Sequence, residues 1–417
     1  MTDSIKPLPW YKQVSGPQKK ALFSAWLGYV FDGFDFMLIT YILVSIQADL
    51  QLSNVQTSSL FMAAFVARPV GGALFGTLCD KYGRKPIMMA AILTYSIGTG
   101  LCGLSTNFAM LFIFRLIVGI GMAGEYACSA PYAVESWPKH LRGLAGAILV
   151  SGFSIGNIAA SQIMPYIAQV HSWRLAFFLG IVPALIVLYI RRHAPESEEW
   201  QKSVDNKNKE SSFSMLSLFS KGQLPVTLIA YLVLFAIFSA NWPIPGLMPK
   251  YLTENGYKDS VSSIMSIGAL GIMIGVLLSG YLADKIGVVK VLVGGLSISL
   301  LMIYPTFLIG PGHEFLTGSM LFILLATNLG VGGLLPKYLS SLFPVKMRGA
   351  AFGFIYNLAA IGGGIAPVVC AYLTDSMSIP LGMALIYVTA FWTLLLVFLV
   401  GLQIPTKIQR KYANCNN

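Results

Sequence analysis

The chain is read as an all-α membrane protein with twelve transmembrane helices in two six-helix pseudo-repeats. Three observations carry that reading. Of 417 residues, 56% are hydrophobic and only 11% charged, whereas a soluble domain carries about 25% charged residues. Apolar stretches close to the roughly 20 residues needed to cross a bilayer recur along the whole chain. The chain also repeats itself. Gly76-Thr-Leu-Cys-Asp80-Lys81-Tyr-Gly83-Arg84-Lys85 is answered 204 positions later by Gly280-Tyr-Leu-Ala-Asp284-Lys285-Ile-Gly287, and Trp137-Pro138-Lys-His-Leu-Arg142-Gly143 is answered 206 positions later by Phe343-Pro344-Val-Lys-Met-Arg348-Gly349.

The spans fall in order at 20–46, 56–79, 86–105, 108–134, 143–168 and 174–192, then at 223–248, 260–283, 288–309, 315–337, 349–374 and 380–403. Span 1 is too long an apolar run for a secretory signal, contains acids and lacks a small-residue cleavage site. Between spans 6 and 7 the stretch 194–221 is polar and too hydrophilic to cross. It divides the chain into an N-terminal half (1–193), a linker and a C-terminal half (222–417). A site near the midplane between two such halves is how secondary transporters of this build work.

The net charge of +11 invites a nucleic-acid reading, and its distribution rejects it. Lysines and arginines collect before span 1, after spans 2, 4, 8 and 10, in the linker and in the tail; the opposite loops hold only Arg174, Lys250 and Lys258. By the positive-inside rule both termini are cytoplasmic. The five cysteines are mostly within spans and lack ligand spacing, so neither disulfides nor a metal site is expected. No nucleophile–base pair or cofactor fingerprint points to an enzyme.

An ionisable residue at the bilayer centre costs about 2.5–3.5 kcal/mol on insertion scales and usually faces a bundle interior or an aqueous cavity. Asp32 and Asp35 in span 1 therefore mark a functional cavity, with Glu125 in span 4 as a third acid. Glu125 shares a helical face with Cys128, Ser129 and Tyr132, a stripe able to line that cavity. Arg68 and Arg115 oppose these acids, leaving about one negative charge in excess, which a bound proton would neutralise. Neutral amides and aromatic faces in the spans suit the polar groups and ring face of a small hydroxylated ligand. The candidates are Tyr29, Tyr126, Asn157, Gln162, Asn241, Trp242, Asn328, Tyr356 and Asn357, placing proton coupling in the N-terminal half and polyol recognition in the C-terminal half. For each single Asn or Gln, helix–helix hydrogen bonding is the competing role. At the loop after span 2, Gly76 and Gly83 allow close packing and a tight turn, and Asp80, Arg84 and Lys85 can pair to lock the cytoplasmic face; Asp284, Arg142 and Arg348 are further gate candidates. Gly119, Gly121 and Gly124 suit close helix contact.

Gly76–Lys85 resembles the loop signature of the major facilitator superfamily. Arg115-Leu-Ile-Val-Gly119-Ile-Gly121-Met-Ala-Gly124 resembles its fourth-span pattern, and Pro195-Glu196-Ser197 the motif after span 6 in many of its metabolite:proton symporters. More narrowly, Trp10-Tyr-Lys-Gln-Val, Phe23-Ser-Ala-Trp-Leu-Gly-Tyr-Val-Phe-Asp-Gly-Phe-Asp-Phe-Met and Gly124-Glu-Tyr-Ala-Cys-Ser-Ala-Pro-Tyr-Ala-Val-Glu-Ser-Trp-Pro resemble the bacterial sialate:proton symporters, over essentially the whole chain. Asp-Gly-Phe-Asp also resembles the aromatic-acid:proton symporters. The second loop copy departs from the pattern, with Val288 and Val289 in place of the basic pair. The resemblance implies a monomeric inner-membrane symporter that carries N-acetylneuraminate or a close derivative such as an anhydro-sialate, with the proton as coupling ion and no other cofactor. Another monocarboxylate is the alternative substrate; a non-transporting receptor is the alternative class.

Overall fold

The structure is a computed structural model that describes residues 10–138, 141–170, 172–193, 196, 201, 218–220, 223–257, 259–343 and 352–413. Among these all regular structure is helical, and eleven helical segments are long and apolar enough to cross a membrane. The twelfth, span 6, is broken into Trp173–Leu179 and Val182–His193. The break sits at Gly180, where an added Cβ would come within 2.9 Å of the Asp35 carboxylate.

The remaining spans lie where expected. In the N-terminal half they are Gly16–Leu50, Asn54–Val66 continued by Arg68–Tyr82, Arg84–Gly103, Phe108–Glu135 and Arg142–Val170. Span 1 is longer than its apolar core because Ser15 and Gln18 form a capping box, which satisfies free N–H groups at the helix start. Span 2 is interrupted between Val66 and Arg68, with Pro69 in the first turn of its second part. In the C-terminal half, span 7 breaks at Trp242 between Leu224–Asn241 and Pro243–Glu254. Val261–Ile286 and Val288–Leu308 follow. Span 10 passes from Glu314–Asn328 through a 3-10 turn, Gly330–Leu334, into Leu335–Leu342. Span 11 opens on a π-helical turn, Phe352–Tyr356, and continues to Met377; span 12 is Leu381–Gly401. A basic amphipathic helix, Ile404–Ala413, ends the described chain.

Small residues let these helices approach closely, the usual device where lipid removes any hydrophobic drive between spans. A Cβ at Gly33 would lie 2.4 Å from the Phe153 carbonyl oxygen, and one at Gly156 would lie 1.9 Å from that of Val30, so spans 1 and 5 touch backbone to backbone. Gly119 and Gly121 pack the same way against Ala64 and Tyr95, and Gly124 makes room for the Phe75 ring. Gly76 does not: its nearest neighbour would be Ala127 at 4.0 Å, an ordinary contact. The turn expected at Gly83 is real, with φ 110° and ψ 156°, and Gly287 repeats it at φ 94° and ψ 146°. These left-handed positions favour glycine in both copies of the loop.

The two ends of the bundle differ. At the end bearing the basic loops, Arg84 pairs with Glu135 at 3.2 Å and Asp284 with Lys337 at 2.5 Å, each within one half. Arg142 donates to the Trp137 carbonyl, and the Lys85 backbone N–H donates to the Glu196 carboxylate. The Asp80 side chain, Arg348, and Pro195 and Ser197 of the third motif lie outside the described residues. At the opposite end the halves are joined. Asp375 of span 11 accepts from Asn54 Nδ2 (2.5 Å) and from the Val55 N–H (3.1 Å), adding a carboxylate at the positive end of span 2 beside its own cap, Ser53. Lys250 of span 7, buried, donates to Gln47 and Asn54.

Candidate functional site

A cavity of about 1250 Å³, counting its open mouth, lies between the halves. Ala147, Leu277 and Leu335 carry its wall toward the basic end. The other end is stopped by an aromatic cluster centred on Trp242, whose ring lies 5.2 Å from Phe36, 5.2 Å from Phe65 and 6.1 Å from Phe153. Gly363 gives this cluster room, since a Cβ there would meet Trp242 and Phe65 within 3 Å.

Seven of the sequence-derived residues line the cavity: Tyr29, Asp32, Arg68, Tyr126, Asn241, Trp242 and Tyr356. The break in span 2 sets Arg68 on the wall, where Tyr29, Tyr126 and Tyr356 all lie within its electrostatic reach. Its guanidinium carbon is 5.9 Å from the Phe65 ring centroid, and its Nε has no hydrogen-bond partner. No carboxylate among the described residues pairs with it. Asp32 is 5% exposed, lies against Glu125 and Tyr95, and has one carboxylate oxygen without a partner. Among the described residues an unpaired cation and a buried acid thus share one apolar-walled space, where a charge left unpaired is costly.

The other candidates are placed elsewhere. Asp35 is turned from the cavity: it accepts from Thr99 Oγ1 at 2.7 Å, and Arg115 is the cation that acts on it. Arg115 is fully buried in the N-terminal half, donating through Nε to the Leu60 carbonyl, and does not reach the cavity wall. Asn157 accepts from the Tyr41 hydroxyl at 2.7 Å; Gln162 donates to Ser266 Oγ at 2.7 Å; Asn328 donates to Ser299 Oγ at 2.9 Å. All three tie one helix to another. Asn357 lies against Gly72. The Glu125 stripe faces inward rather than lining the cavity: Glu125, Cys128, Ser129 and Tyr132 are buried within the N-terminal half.

The charge count changes with the partner of Glu125. That partner is Arg191, at the end of span 6, whose charge the sequence pattern counts with the basic residues of the central loop. Arg191 Nη2 donates to Glu125 Oε1 at 2.6 Å with both side chains fully buried, and Ser129 Oγ donates to Glu125 Oε2 at 3.1 Å. Among the described residues the intramembrane set is therefore three acids and three arginines, not three and two. Glu125 is matched by Arg191 and Asp35 by Arg115, which leaves Asp32 and Arg68 as the charges facing the cavity.

The cavity has partners that sequence reasoning missed. Ser151 and Ser154 add hydroxyls on span 5, spaced three apart on one helical face with Ala147. The C-terminal wall contributes Asn241, Trp242 and Tyr356 but is otherwise apolar, with Ile272, Val276 and Leu329 among its residues. The polar groups on the cavity wall thus lie mostly in the N-terminal half, whereas the sequence reading places polyol recognition in the C-terminal half.

The family model described as Major Facilitator Superfamily matches residues 25–367 and 260–412. The sialic acid transporter NanX of Escherichia coli (strain K12) is 52% identical over 402 residues, covering 96% of this chain and 98% of that protein. The cis,cis-muconate transport protein of Acinetobacter baylyi (strain ATCC 33305 / BD413 / ADP1) is 29% identical over 376 residues, covering 87% and 89%. Among solved structures, the xylose transporter XylE from E. coli, in a partially occluded inward-open conformation, has a TM-score of 0.73 at 18% identity, covering 92% of this chain and 97% of that one; the likeness is one of fold.

Proposed function

The chain belongs to the major facilitator superfamily, and we propose that it imports a sialic acid, N-acetylneuraminate or a close derivative, together with one proton. The observation that carries the mechanism is the shared cavity of Asp32 and Arg68, each without an ion-pair partner of its own. In the empty carrier the two charges balance. When Asp32 takes a proton, Arg68 is left as a net positive charge, and the substrate carboxylate neutralises it. The planar guanidinium can bind that carboxylate through two parallel hydrogen bonds. Ser151, Ser154, Tyr29, Tyr126 and Asn241 supply groups for the hydroxyls and the acetamido group, and the apolar wall takes the ring face. Loaded and empty carriers then bear the same charge, so the charged cavity need never cross unbalanced.

On this reading the basic loops are cytoplasmic, as are both termini, and the carrier sits in a bacterial inner membrane as a monomer. The cavity then opens inward, and the Asp375–Asn54–Lys250 cluster closes the outer face. Residues 1–193 and 222–417 would move as the two rocking units about the fixed site. The muconate relative and the Asp-Gly-Phe-Asp element favour a second reading, in which the anion is a different carboxylate. Uptake of labelled N-acetylneuraminate into proteoliposomes under an imposed pH gradient, competed by sialates, lactate and aromatic acids, tests the proposal. Competition by sialates alone is expected; competition by aromatic acids alone would replace the substrate.

A further inference from the structure

Arg191 enters the N-terminal half through a notch in span 1. A Cβ on Gly28 would lie 2.2 Å from Arg191 Nη2 and 2.9 Å from Glu125 Oε1, so the pair occupies the space a side chain at position 28 would take. Asp32 lies one helical turn beyond Gly28, on the same face of span 1, and against Glu125. The guanidinium is fully buried, and its Nε and Nη1 have no hydrogen-bond partner; one oxygen of Asp32 has none either. A buried donor with unmet valence takes whatever acceptor it can reach, because leaving it bare costs about 1–3 kcal/mol, more for a charged group. Asp32 is such an acceptor and already lies within reach of the Arg191 charge, and the direct contact with Glu125 is what keeps the guanidinium from pairing with it.

We infer that Glu125 is a positioning residue: it holds Arg191 off Asp32, and this restraint leaves Asp32 free to exchange its proton with the cavity. The inference rests on the proposed role of Asp32 as proton carrier. The groups that face Asp32 are Tyr29 on its own helix, Arg68 from span 2, Tyr95 from span 3, Glu125 with Ser129 from span 4, and Arg191 from span 6. Of the two cations, Arg68 is available to substrate and Arg191 is committed to Glu125. If Glu125 is neutralised, Arg191 is released to Asp32, and the new ion pair holds Asp32 as a carboxylate. The carrier then binds substrate at Arg68 without needing a proton. It should exchange substrate but not concentrate it.

The test uses the full-length chain in proteoliposomes with labelled N-acetylneuraminate and compares pH-driven accumulation with counterflow exchange. The wild-type protein should accumulate about tenfold for a one-unit pH gradient at one-to-one coupling. Glu125→Gln should still exchange at a measurable rate, with a flattened pH profile, yet show almost no accumulation. Glu125→Gln/Arg191→Gln, which removes both charges, should regain pH-driven accumulation because no cation remains to capture Asp32. Glu125→Met, a second neutral replacement of similar length, should behave like Glu125→Gln. It serves if the Gln variant does not fold. Wild-type accumulation by either neutral single variant would overturn the inference. So would a double variant that exchanges but is not driven by the gradient, since the pair itself would then be carrying the proton. If instead Asp32→Asn still accumulates substrate, the assignment of Asp32 fails, and this outcome is distinguishable from the other two.

Discussion

Replacing Arg68 by lysine keeps the charge in the cavity and removes the planar fork. Arg68 lines the wall, has no carboxylate partner among the described residues, and keeps its Nε unused. Its donors are therefore available to a ligand without first breaking an ion pair. A carboxylate held by two charge-assisted hydrogen bonds loses about one of them when lysine takes over, at roughly 1.5–3 kcal/mol. At 1.4 kcal/mol per decade, the dissociation constant should rise roughly 10- to 150-fold. The shorter reach of lysine from a wall position adds to the loss. Binding can be followed by quenching of Trp242, which forms part of the same wall, in detergent and at a fixed pH below neutrality. Arg115→Lys is the control, since Arg115 lies off the cavity and should leave substrate affinity within about threefold. If Arg68→Lys binds N-acetylneuraminate within about threefold of wild type, while Arg115→Lys weakens it more, the carboxylate site has been placed on the wrong arginine.

Asp32→Asn should abolish pH-driven accumulation while counterflow survives, whereas Asp35→Asn, whose partner is Thr99 rather than the cavity, should remain coupled; proteoliposome uptake distinguishes them. Asp375→Ala removes the carboxylate that holds the start of span 2 across the halves. A carboxylate at a helix N-terminus is worth about 0.3–1 kcal/mol, so the outward-open population should rise roughly two- to fivefold, read as faster labelling of Asn241→Cys by an impermeant thiol reagent added outside. Gly156→Leu forces a side chain into the span 1 backbone, where even a Cβ would stand 1.9 Å from the Val30 carbonyl. Overpacking of that kind costs several kcal/mol where backbone cannot yield, and a clear fall in the thermal midpoint of the purified protein is expected.

The spans were legible because lipid leaves a chain few options: every crossing segment must be helical, long and apolar, and each marks itself. The repeated loop was legible for a similar reason, since Gly83 and Gly287 share a backbone turn that tolerates little else. Asp32 stood out by its cost, and the structure puts it on the cavity wall. The polar amides did not sort themselves. Asn157, Gln162 and Asn328 look like ligand groups in sequence and are committed to Tyr41, Ser266 and Ser299 in space. Arg191 was hidden most completely. Adjacent to Arg192 and at the end of a span, it has the signature of a topological charge, and what brings it inside is a missing side chain at Gly28, in another helix. Pairing across helices is invisible to hydropathy, and so the charge count read from sequence was short by one cation.

Coupling of one anion to one proton is the central claim, and its most direct test separates the two components of the driving force. Proteoliposomes are held at a fixed pH gradient while potassium and valinomycin set the membrane potential, and the steady-state accumulation of N-acetylneuraminate is measured. Moving one charge through 100 mV is worth about 2.3 kcal/mol, so a transport cycle with an extra positive charge would show accumulation rising steeply as the interior becomes negative. The balance of Asp32 against Arg68 predicts accumulation that does not change with potential and grows about tenfold per pH unit. A steep rise with inside-negative potential would contradict it and would mean that a second proton travels with each substrate.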